Sequence, residues 1–124
     1  GSSRESADLA PYAAAFSEID ADPAHLLLAV RDPGGEIVAT LQLTLVPGLS
    51  RAGAKRLQIE AVRVRDSERG RGLGAALLDW AHAWGRARGA ALAQLTSDRQ
   101  REDAHRFYAR AGYAPSHTGF KRPL

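Results

Sequence analysis

The stretch Arg69-Gly70-Arg71-Gly72-Leu73-Gly74 joins an apolar, strand-like segment to a long amphipathic helix. Glycine lets the backbone take left-handed conformations and lets main-chain N–H groups approach a ligand closely. The N-terminus of the helix that follows adds roughly half a positive charge. A junction of this kind predicts an anion site, most often one for phosphate, where the strand turns into the helix.

Upstream of this glycine run, the sequence predicts a helix followed by a meander of three antiparallel strands. Apolar residues at helical spacing mark the helix, namely Leu9, Tyr12, Ala13, Phe16 and Ile19. Strands are predicted over 25–31, 36–46 and 56–65, and the hairpin turn Asp32-Pro33-Gly34-Gly35 joins the first two.

The third predicted strand changes phase near its middle. Leu57 and Ile59 alternate with polar residues, whereas beyond Ala61 the apolar positions are Val62 and Val64. A one-residue slip of a period-2 pattern is typical of a β-bulge, which frees backbone donors and acceptors from the ladder. A strand end that is buried on both faces would show the same letters, so both interpretations stand at this point.

Downstream of the glycine run, the sequence predicts a helix, a strand, a second helix and a last extended segment. The first helix ends at Arg88-Gly89, and its broad apolar face consists of Leu73, Ala76, Leu77, Trp80, Ala81 and Trp84. A buried strand over 91–96 is expected to run parallel to the third strand, because a strand–helix crossover precedes it. The second helix ends at Gly112 and carries Ala104, Phe107, Tyr108 and Ala111.

The extended segment is predicted over 113–120. The elements together predict an α/β fold in three layers, with a mixed and mostly antiparallel sheet flanked by helices. In chain order, the β-meander is followed by a βαβ unit and then by a closing αβ unit.

Composition limits the class of protein. A chain of 124 residues fits one domain, and Gly1-Ser2-Ser3 looks like a cloning remnant, so the predicted domain covers 4–124. The absence of cysteine excludes disulfides, thiol catalysis and Cys-ligated zinc, and the histidines lack metal-ligand spacing, so no metal is expected. No segment has the length of a membrane span or the pattern of a signal peptide, which predicts a cytoplasmic protein without a membrane partner.

The net charge of +3 is carried almost entirely by arginines that are spread along the chain. A groove for single-stranded nucleic acid would place aromatic residues between the cations, and this chain does not. We therefore expect no nucleic-acid partner. His82 and His105, which stand beside arginines on predicted helices, are expected to be solvated.

Two nucleotide-binding motifs fit the glycine run poorly. A P-loop requires Lys and then Ser or Thr after its last glycine, but Ala75-Ala76 follow Gly74. A dinucleotide fingerprint is matched in part by Gly70, Gly72 and Ala75. That fold, however, begins with parallel βαβ units rather than with a meander.

Two stretches of the chain resemble motifs of the GNAT acetyltransferase superfamily. The glycine run matches its Gln/Arg-x-x-Gly-x-Gly/Ala motif. The stretch 104–113 is similar to its Phe-Tyr-x-x-x-Gly-Phe/Tyr signature, and the resemblance covers roughly 38–124. Members of the superfamily usually begin with a further strand and helix, so the N-terminal strand is expected to be either truncated or absent here.

The resemblance implies an acyl-CoA-dependent N-acetyltransferase, with acetyl-CoA as co-substrate and no metal. It also implies that the bulged strand pairs through its backbone with the pantetheine arm and that the glycine run cradles the pyrophosphate. The cofactor-binding residues so implied are Val62, Arg63 and Val64 for the arm, and Arg69, Gly70, Arg71, Gly72, Leu73, Gly74 and Ala75 for the pyrophosphate. Arg101 stands where many members have an asparagine, so we carry over no CoA contact at that position.

The same resemblance implies two catalytic residues. Tyr108 stands where the superfamily has the tyrosine that protonates the CoA thiolate. Glu60 stands where members that acetylate polyamines have a glutamate, and it is the expected base for the amine proton. His117 or a chain of water molecules is the alternative base, and a structural pairing of Glu60 with Arg56 or Arg63 is the alternative role for the glutamate.

The expected acceptor is a primary amine of a small molecule, which attacks the thioester directly. An amine of a peptide or protein is the alternative acceptor. A module that binds acetyl-CoA without catalysis is the alternative function. A homodimer fits this fold.

Overall fold

The computed structural model describes residues 9–97 and 100–124, so the predicted remnant and the predicted domain start at residue 4 lie outside the described residues. One sheet contains the strands β1 (His25–Arg31), β2 (Ile37–Val46), β3 (Lys55–Val64) and β4 (Ala90–Gln94). The helices are α1 (Ala10–Ala21), α2 (Leu73–Ala87) and α3 (Glu102–Arg110). Two short helical turns, Ser50–Gly53 and Asp66–Glu68, lie before and after β3.

The strands follow one another across the sheet in the order β1-β2-β3-β4. The first three pair antiparallel, and β3 pairs in parallel with β4 after the chain has crossed through α2. The predicted α/β fold, with a mixed and mostly antiparallel sheet flanked by helices, is confirmed. This topology places the glycine run at the end of β3, where the chain leaves the sheet for α2.

One face of the sheet carries the core. The fully buried side chains of β2 and β3, among them Leu41, Leu43, Leu57 and Ile59, lie on this face. They pack against the buried side of α2, which consists of Leu77, Leu78, Ala81, Trp84 and Gly85. The opposite face of the sheet is largely polar, and we call it the polar face.

The core side of α2 is rotated relative to the predicted one. Trp80, predicted to lie in the core, is 45% exposed, whereas Leu78 is buried. Gly85 accounts for the rotation because it faces the sheet, and a Cβ built on it would lie 2.9 Å from Leu57 Cδ2. The helix backbone therefore rests directly on β3 at this glycine.

Helix α1 forms as predicted but buries little apolar surface. It contacts the edge strand β1, yet Tyr12 is 73% exposed and Phe16 is 53% exposed. Ile19 is partly buried, and no residue of the helix is fully buried. The prediction of a helix is therefore correct, but the apolar face that its spacing implies is not buried.

The segment predicted as a closing strand over 113–120 does not form one. Pro115 lacks the N–H that a ladder requires. Ser116 donates its N–H to the carbonyl oxygen of Ala114 at 2.8 Å, which is a local turn rather than a cross-strand bond. The order of elements in the described residues is therefore αβββαβα.

Candidate active site

Strand β3 is longer than its parallel partner, and part of its edge is therefore open. The β3–β4 ladder ends with Gln58 opposite Gln94, and their side-chain amides are joined by a 2.7 Å hydrogen bond. Strand β4 ends there, whereas β3 continues to Val64. Within the described residues, no strand pairs with the backbone groups on this side of 59–64, which we call the open edge of β3.

The open edge carries the predicted β-bulge. Gln42 pairs with Glu60 and Thr40 pairs with Arg63, so the single residue between them on β2 faces two residues of β3. Ala61, the first of those two, has a left-handed φ of 54°. The bulge is thus confirmed, and the alternative of a strand end buried on both faces is wrong because Glu60, Ala61 and Arg63 are exposed.

The bulge changes the face on which the following side chains lie. Residues three apart on a regular strand point to opposite faces, but the β2 partners of Glu60 and Arg63 lie only two residues apart. Glu60 and Arg63 therefore share the polar face. Val62 and Val64 pack against the core cluster instead.

The glycine run turns the chain from β3 into α2 through two left-handed residues. Gly70 and Gly72 have φ values of 78° and 81°, and Gly72 is the N-cap of α2. A Cβ on either glycine would meet no atom within 4 Å, so backbone conformation requires glycine here. No described side chain caps this helix end, so the N–H groups of its first turn have no side-chain acceptor among the described residues at the positive end of the helix dipole.

Gly74, the third glycine of the run, has a packing role. A Cβ built on it would lie 3.1 Å from Phe107 Cζ. The aromatic ring of α3 therefore rests on the first turn of α2, and the two sequence motifs are in direct contact. The family resemblance implies a place for Gly74 in the pyrophosphate cradle, and it does not predict this contact.

The arginines of the run are paired with the acidic residues that precede it. Arg69 Nη1 lies 3.2 Å from Asp66 Oδ1, and Arg71 Nη1 lies 3.6 Å from Glu68 Oε2. Ion pairs at the protein surface contribute about 0–1 kcal/mol. An anionic ligand can therefore compete with these carboxylates for both guanidinium groups.

A groove of about 430 Å³ lies beside the run, at the start of α3. Its charged lining consists of Arg69, Arg101, Glu102, Asp103 and Arg106. Arg101, the N-cap residue of α3, lines this groove. It stands at the position where many family members have an asparagine. The groove leads from Arg69 of the glycine run to the start of α3.

Tyr108 lies on the core side of the sheet. Its side chain is half-buried against the core cluster, to which Val62, Val64 and Leu73 also pack. Its hydroxyl forms no hydrogen bond with any described residue. Tyr108, the bulged strand and the start of α2 thus pack against the same core cluster.

Glu60 lies on the polar face and is exposed. It forms no hydrogen bond or ion pair with the described residues, so the alternative pairing with Arg56 or Arg63 is not found. Arg63 Nη1 instead donates to a main-chain carbonyl oxygen of its own strand at 3.0 Å. His117, the alternative base, is exposed and hydrogen-bonded to Ser116 Oγ at 2.7 Å.

His82 is half-buried rather than solvated, contrary to the prediction. Its Nε2 lies 2.7 Å from the Tyr113 hydroxyl oxygen. Burial lowers the pKa of His82, and the positive charge of Arg86 lowers it further, while Asp79 opposes both. Burial also raises the pKa of Tyr113 to about 12, with a further contribution from Tyr108. No local pattern could predict this bond, because its partners are 31 residues apart.

Over 9–97 and 100–124, no group of three His, Cys, Asp or Glu residues is placed to hold a metal ion. None of the helices in this part of the chain is long and apolar enough to cross a membrane.

Comparison with known proteins agrees with the strand–glycine–helix geometry. Residues 2–113 match the Acetyltransferase (GNAT) family. The chain belongs to this family. The resemblance carried by the two sequence motifs is thereby confirmed, and it extends over most of the chain.

Individual proteins and solved structures are also similar to this chain. Aminoalkylphosphonate N-acetyltransferase of Salmonella typhimurium is 38% identical over 100 residues, which are 81% of this chain and 63% of that protein. This chain therefore spans less than two thirds of that relative. A transcriptional regulator from Bacillus halodurans is 42% identical, with a TM-score of 0.87 over 92% of this chain and 75% of the other. A putative acetyltransferase from Agrobacterium tumefaciens is 27% identical, with a TM-score of 0.82 over 94% of this chain and 81% of the other.

We expect Tyr113 to make the GNAT fold less stable at high pH. Its pKa is about 12 in the folded protein against 10.0 ordinarily, so its contribution is complete below pH 10.0 and is lost as the pH rises through about 12. Urea unfolding at a series of pH values tests this. The free energy of unfolding should fall more steeply above pH 10.0 for the wild type than for Tyr113→Phe.

The matched control for this measurement is Tyr12→Phe, which changes an exposed tyrosine on α1. It should keep the steepness of the wild type. Parallel curves for the wild type and Tyr113→Phe would contradict the expectation.

Proposed function

We propose that this chain transfers the acetyl group of acetyl-CoA to a primary amine of a small molecule by direct attack of the amine on the thioester. The observation that carries the proposal is the open, bulged edge of β3, which leads through Gly70 and Gly72 into a helix N-terminus that no described side chain caps. A ligand with amide groups along its length and a pyrophosphate at one end is complementary to this combination. A purely structural glycine turn would need neither the open edge nor the bulge.

The proposed CoA site consists mostly of main-chain groups. The backbone of 62–64 pairs with the amides of the pantetheine arm, and the N–H groups of 71–75 hold the pyrophosphate. Arg69 and Arg71 exchange their carboxylate partners for phosphate oxygens. When bound, acetyl-CoA supplies an activated acetyl carbonyl with a thiolate leaving group.

The two proposed catalytic side chains lie on opposite sides of the sheet. Glu60, on the polar face, accepts the proton that the amine loses as its nitrogen bonds to the acetyl carbon. Tyr108, on the core side, donates its proton to the sulfur as the carbon–sulfur bond breaks. A backbone N–H at the bulge faces the charge that develops on the carbonyl oxygen.

The acceptor that we propose carries an anionic group close to its amine. The bulge places Arg63 beside Glu60 on the polar face, and neighbouring same-face positions of a strand are roughly 7 Å apart. A small molecule with both charges can therefore contact the carboxylate and the guanidinium at once. The relative named for aminoalkylphosphonate acetylation supports this choice, because an aminoalkylphosphonate has both groups.

Substitution Gly72→Asp should weaken acetyl-CoA binding about 30-fold or more, because it adds a negative charge where the pyrophosphate is proposed to lie. Isothermal titration calorimetry measures the dissociation constant. Gly35→Asp is the matched control, since Gly35 also has a left-handed φ (88°) and no atom within 4 Å of an added Cβ. Equal affinity of both variants for acetyl-CoA would show that the glycine run is not part of the acetyl-CoA site.

Tyr108→Phe should lower kcat about 10- to 100-fold, and Glu60→Gln should lower kcat/KM by a similar factor, because each removes a proton-transfer group. Release of CoA thiol with a panel of small amines measures both. His117→Ala should leave kcat/KM within about twofold. A wild type that binds acetyl-CoA and releases no thiol with any amine would support the non-catalytic module instead.

Arg63→Gln should raise KM for an aminoalkylphosphonate about tenfold, while KM for an uncharged alkylamine changes less than about twofold. Arg31→Gln is the matched control, since this exposed arginine donates to the Gly35 carbonyl at the far edge of the sheet. An equal change in KM for both amines would exclude Arg63 as the anion contact. Preferential acetylation of peptide amines would exclude the proposed acceptor.

A further inference from the structure

The end of helix α3 fixes Tyr108 and Tyr113 relative to each other. Gly112 has a left-handed φ of 96° and donates its N–H to the Ala109 carbonyl at 3.0 Å. Tyr113 donates its N–H to the Tyr108 carbonyl, also at 3.0 Å. These two bonds form a Schellman motif, in which the residue after the glycine packs on the residue five positions earlier.

The ring of Tyr108 is held by aromatic rings that follow and precede it in the chain. Its centroid lies 6.0 Å from that of Tyr113, with the planes inclined by 71°. The ring of Phe107 lies 5.3 Å away at 62°, and Phe107 in turn rests on Gly74 of α2. Edge-to-face contacts of this type stabilise the pair beyond the surface area that they bury. The orientation of Tyr108 therefore depends on the position of Tyr113.

The position of Tyr113 is fixed from α2 by its hydrogen bond to His82. The raised pKa of Tyr113 and the lowered pKa of His82 keep both groups neutral. In the His82 tautomer that carries its proton on Nδ1, the Tyr113 hydroxyl donates and the Nε2 lone pair accepts. On α2, the charged groups near His82 are Arg86 and Asp79. The β3 and β4 residues that share a small cavity with His82 are apolar, namely Leu57, Ala90, Ala91, Leu92 and Ala93.

We propose that His82 is a positioning residue, which acts through the Tyr113 hydroxyl and the C-terminal cap of α3 to hold Tyr108 in place for proton donation. The inference rests on the proposed function, because the position of the Tyr108 hydroxyl affects catalysis only if Tyr108 is the acid. His82 itself contacts neither the donor nor the acceptor in this arrangement. It connects the helix that begins at the anion site to the helix that carries the acid.

The test measures kcat and KM for His82→Leu, Tyr113→Phe, Tyr108→Phe and the double variant His82→Leu/Tyr108→Phe. His82→Leu and Tyr113→Phe should each lower kcat about 5- to 20-fold and leave KM for acetyl-CoA within about twofold. In the Tyr108→Phe background, His82→Leu should change kcat less than about twofold, because the group that it positions is already absent.

Two further variants separate positioning from a general structural role. His82→Gln keeps a side-chain acceptor for the Tyr113 hydroxyl, and it should restore kcat to within about threefold of the wild type. His105→Leu removes an exposed histidine from α3 and should leave kcat unchanged. An equal loss of kcat from His82→Leu with and without Tyr108 would overturn the positioning role and leave the proposed function intact.

A measurement that does not depend on catalytic activity separates the positioning role of His82 from the proposed acid role of Tyr108. NMR spectra of protein with ¹³C-labelled tyrosine report the environment of the Tyr108 ring. Its signals should move in His82→Leu and in Tyr113→Phe, and they should stay in place in His105→Leu. Unmoved Tyr108 signals would overturn the inference whatever the activity. A kcat that is insensitive to Tyr108→Phe would instead show that the proposed acid is wrong.

Discussion

The β-bulge at Ala61 is the constraint on which the candidate site depends. An alanine at a left-handed φ of 54° costs roughly 1–2 kcal/mol. Without the extra residue, Val62 and Val64 would face solvent and Arg63 would face the apolar core. Half-burial of two valines offsets a cost of this order, and burial of an unpaired guanidinium would cost several kcal/mol more. The packing of the core therefore enforces the bulge that also opens the strand edge.

The two glycine motifs of the family are helix ends in this structure. Gly72 starts α2 with a left-handed residue, and Gly112 ends α3 with another. The turn at Gly72 leaves main-chain N–H donors without a side-chain cap at a positive helix end. The turn at Gly112 brings Tyr113 onto Tyr108, five residues earlier in the chain. Gly74 and Phe107 then join these helix ends, because the missing Cβ admits the ring. The glycine in each motif thus stands where a helix begins or ends, and the positions of the other motif residues follow from that helix end.

The features that the sequence predicts correctly are those with a local cause. The bulge follows from a slip in the alternation around Ala61, and the turn at Gly70 and Gly72 follows from the conformational freedom of glycine. The antiparallel meander follows from consecutive strands without an intervening helix. Each of these signals is contained within about ten residues.

The features that the sequence misses depend on contacts between distant parts of the chain. The rotation of α2 depends on the fit of Gly85 against Leu57, and the His82–Tyr113 bond joins two helical regions. The predicted closing strand failed for a different reason: an extended pattern was present, but Pro115 removed a required donor. Periodicity describes which face of an element is apolar, and it contains no information about which distant side chain meets that face.

The same distinction separates the two halves of the proposed site. The donor half consists of main-chain groups at an open strand edge and a helix end, so the sequence specifies it through conformation, with glycine and a bulge. The acceptor half consists of side chains on the polar face, such as Glu60 and Arg63, whose chemistry can change without altering the backbone. Substitutions on that face can therefore change the acceptor while the donor site stays the same. In the proposed site, the glycine pattern therefore indicates the donor, whereas the acceptor depends on the charges beside the bulge.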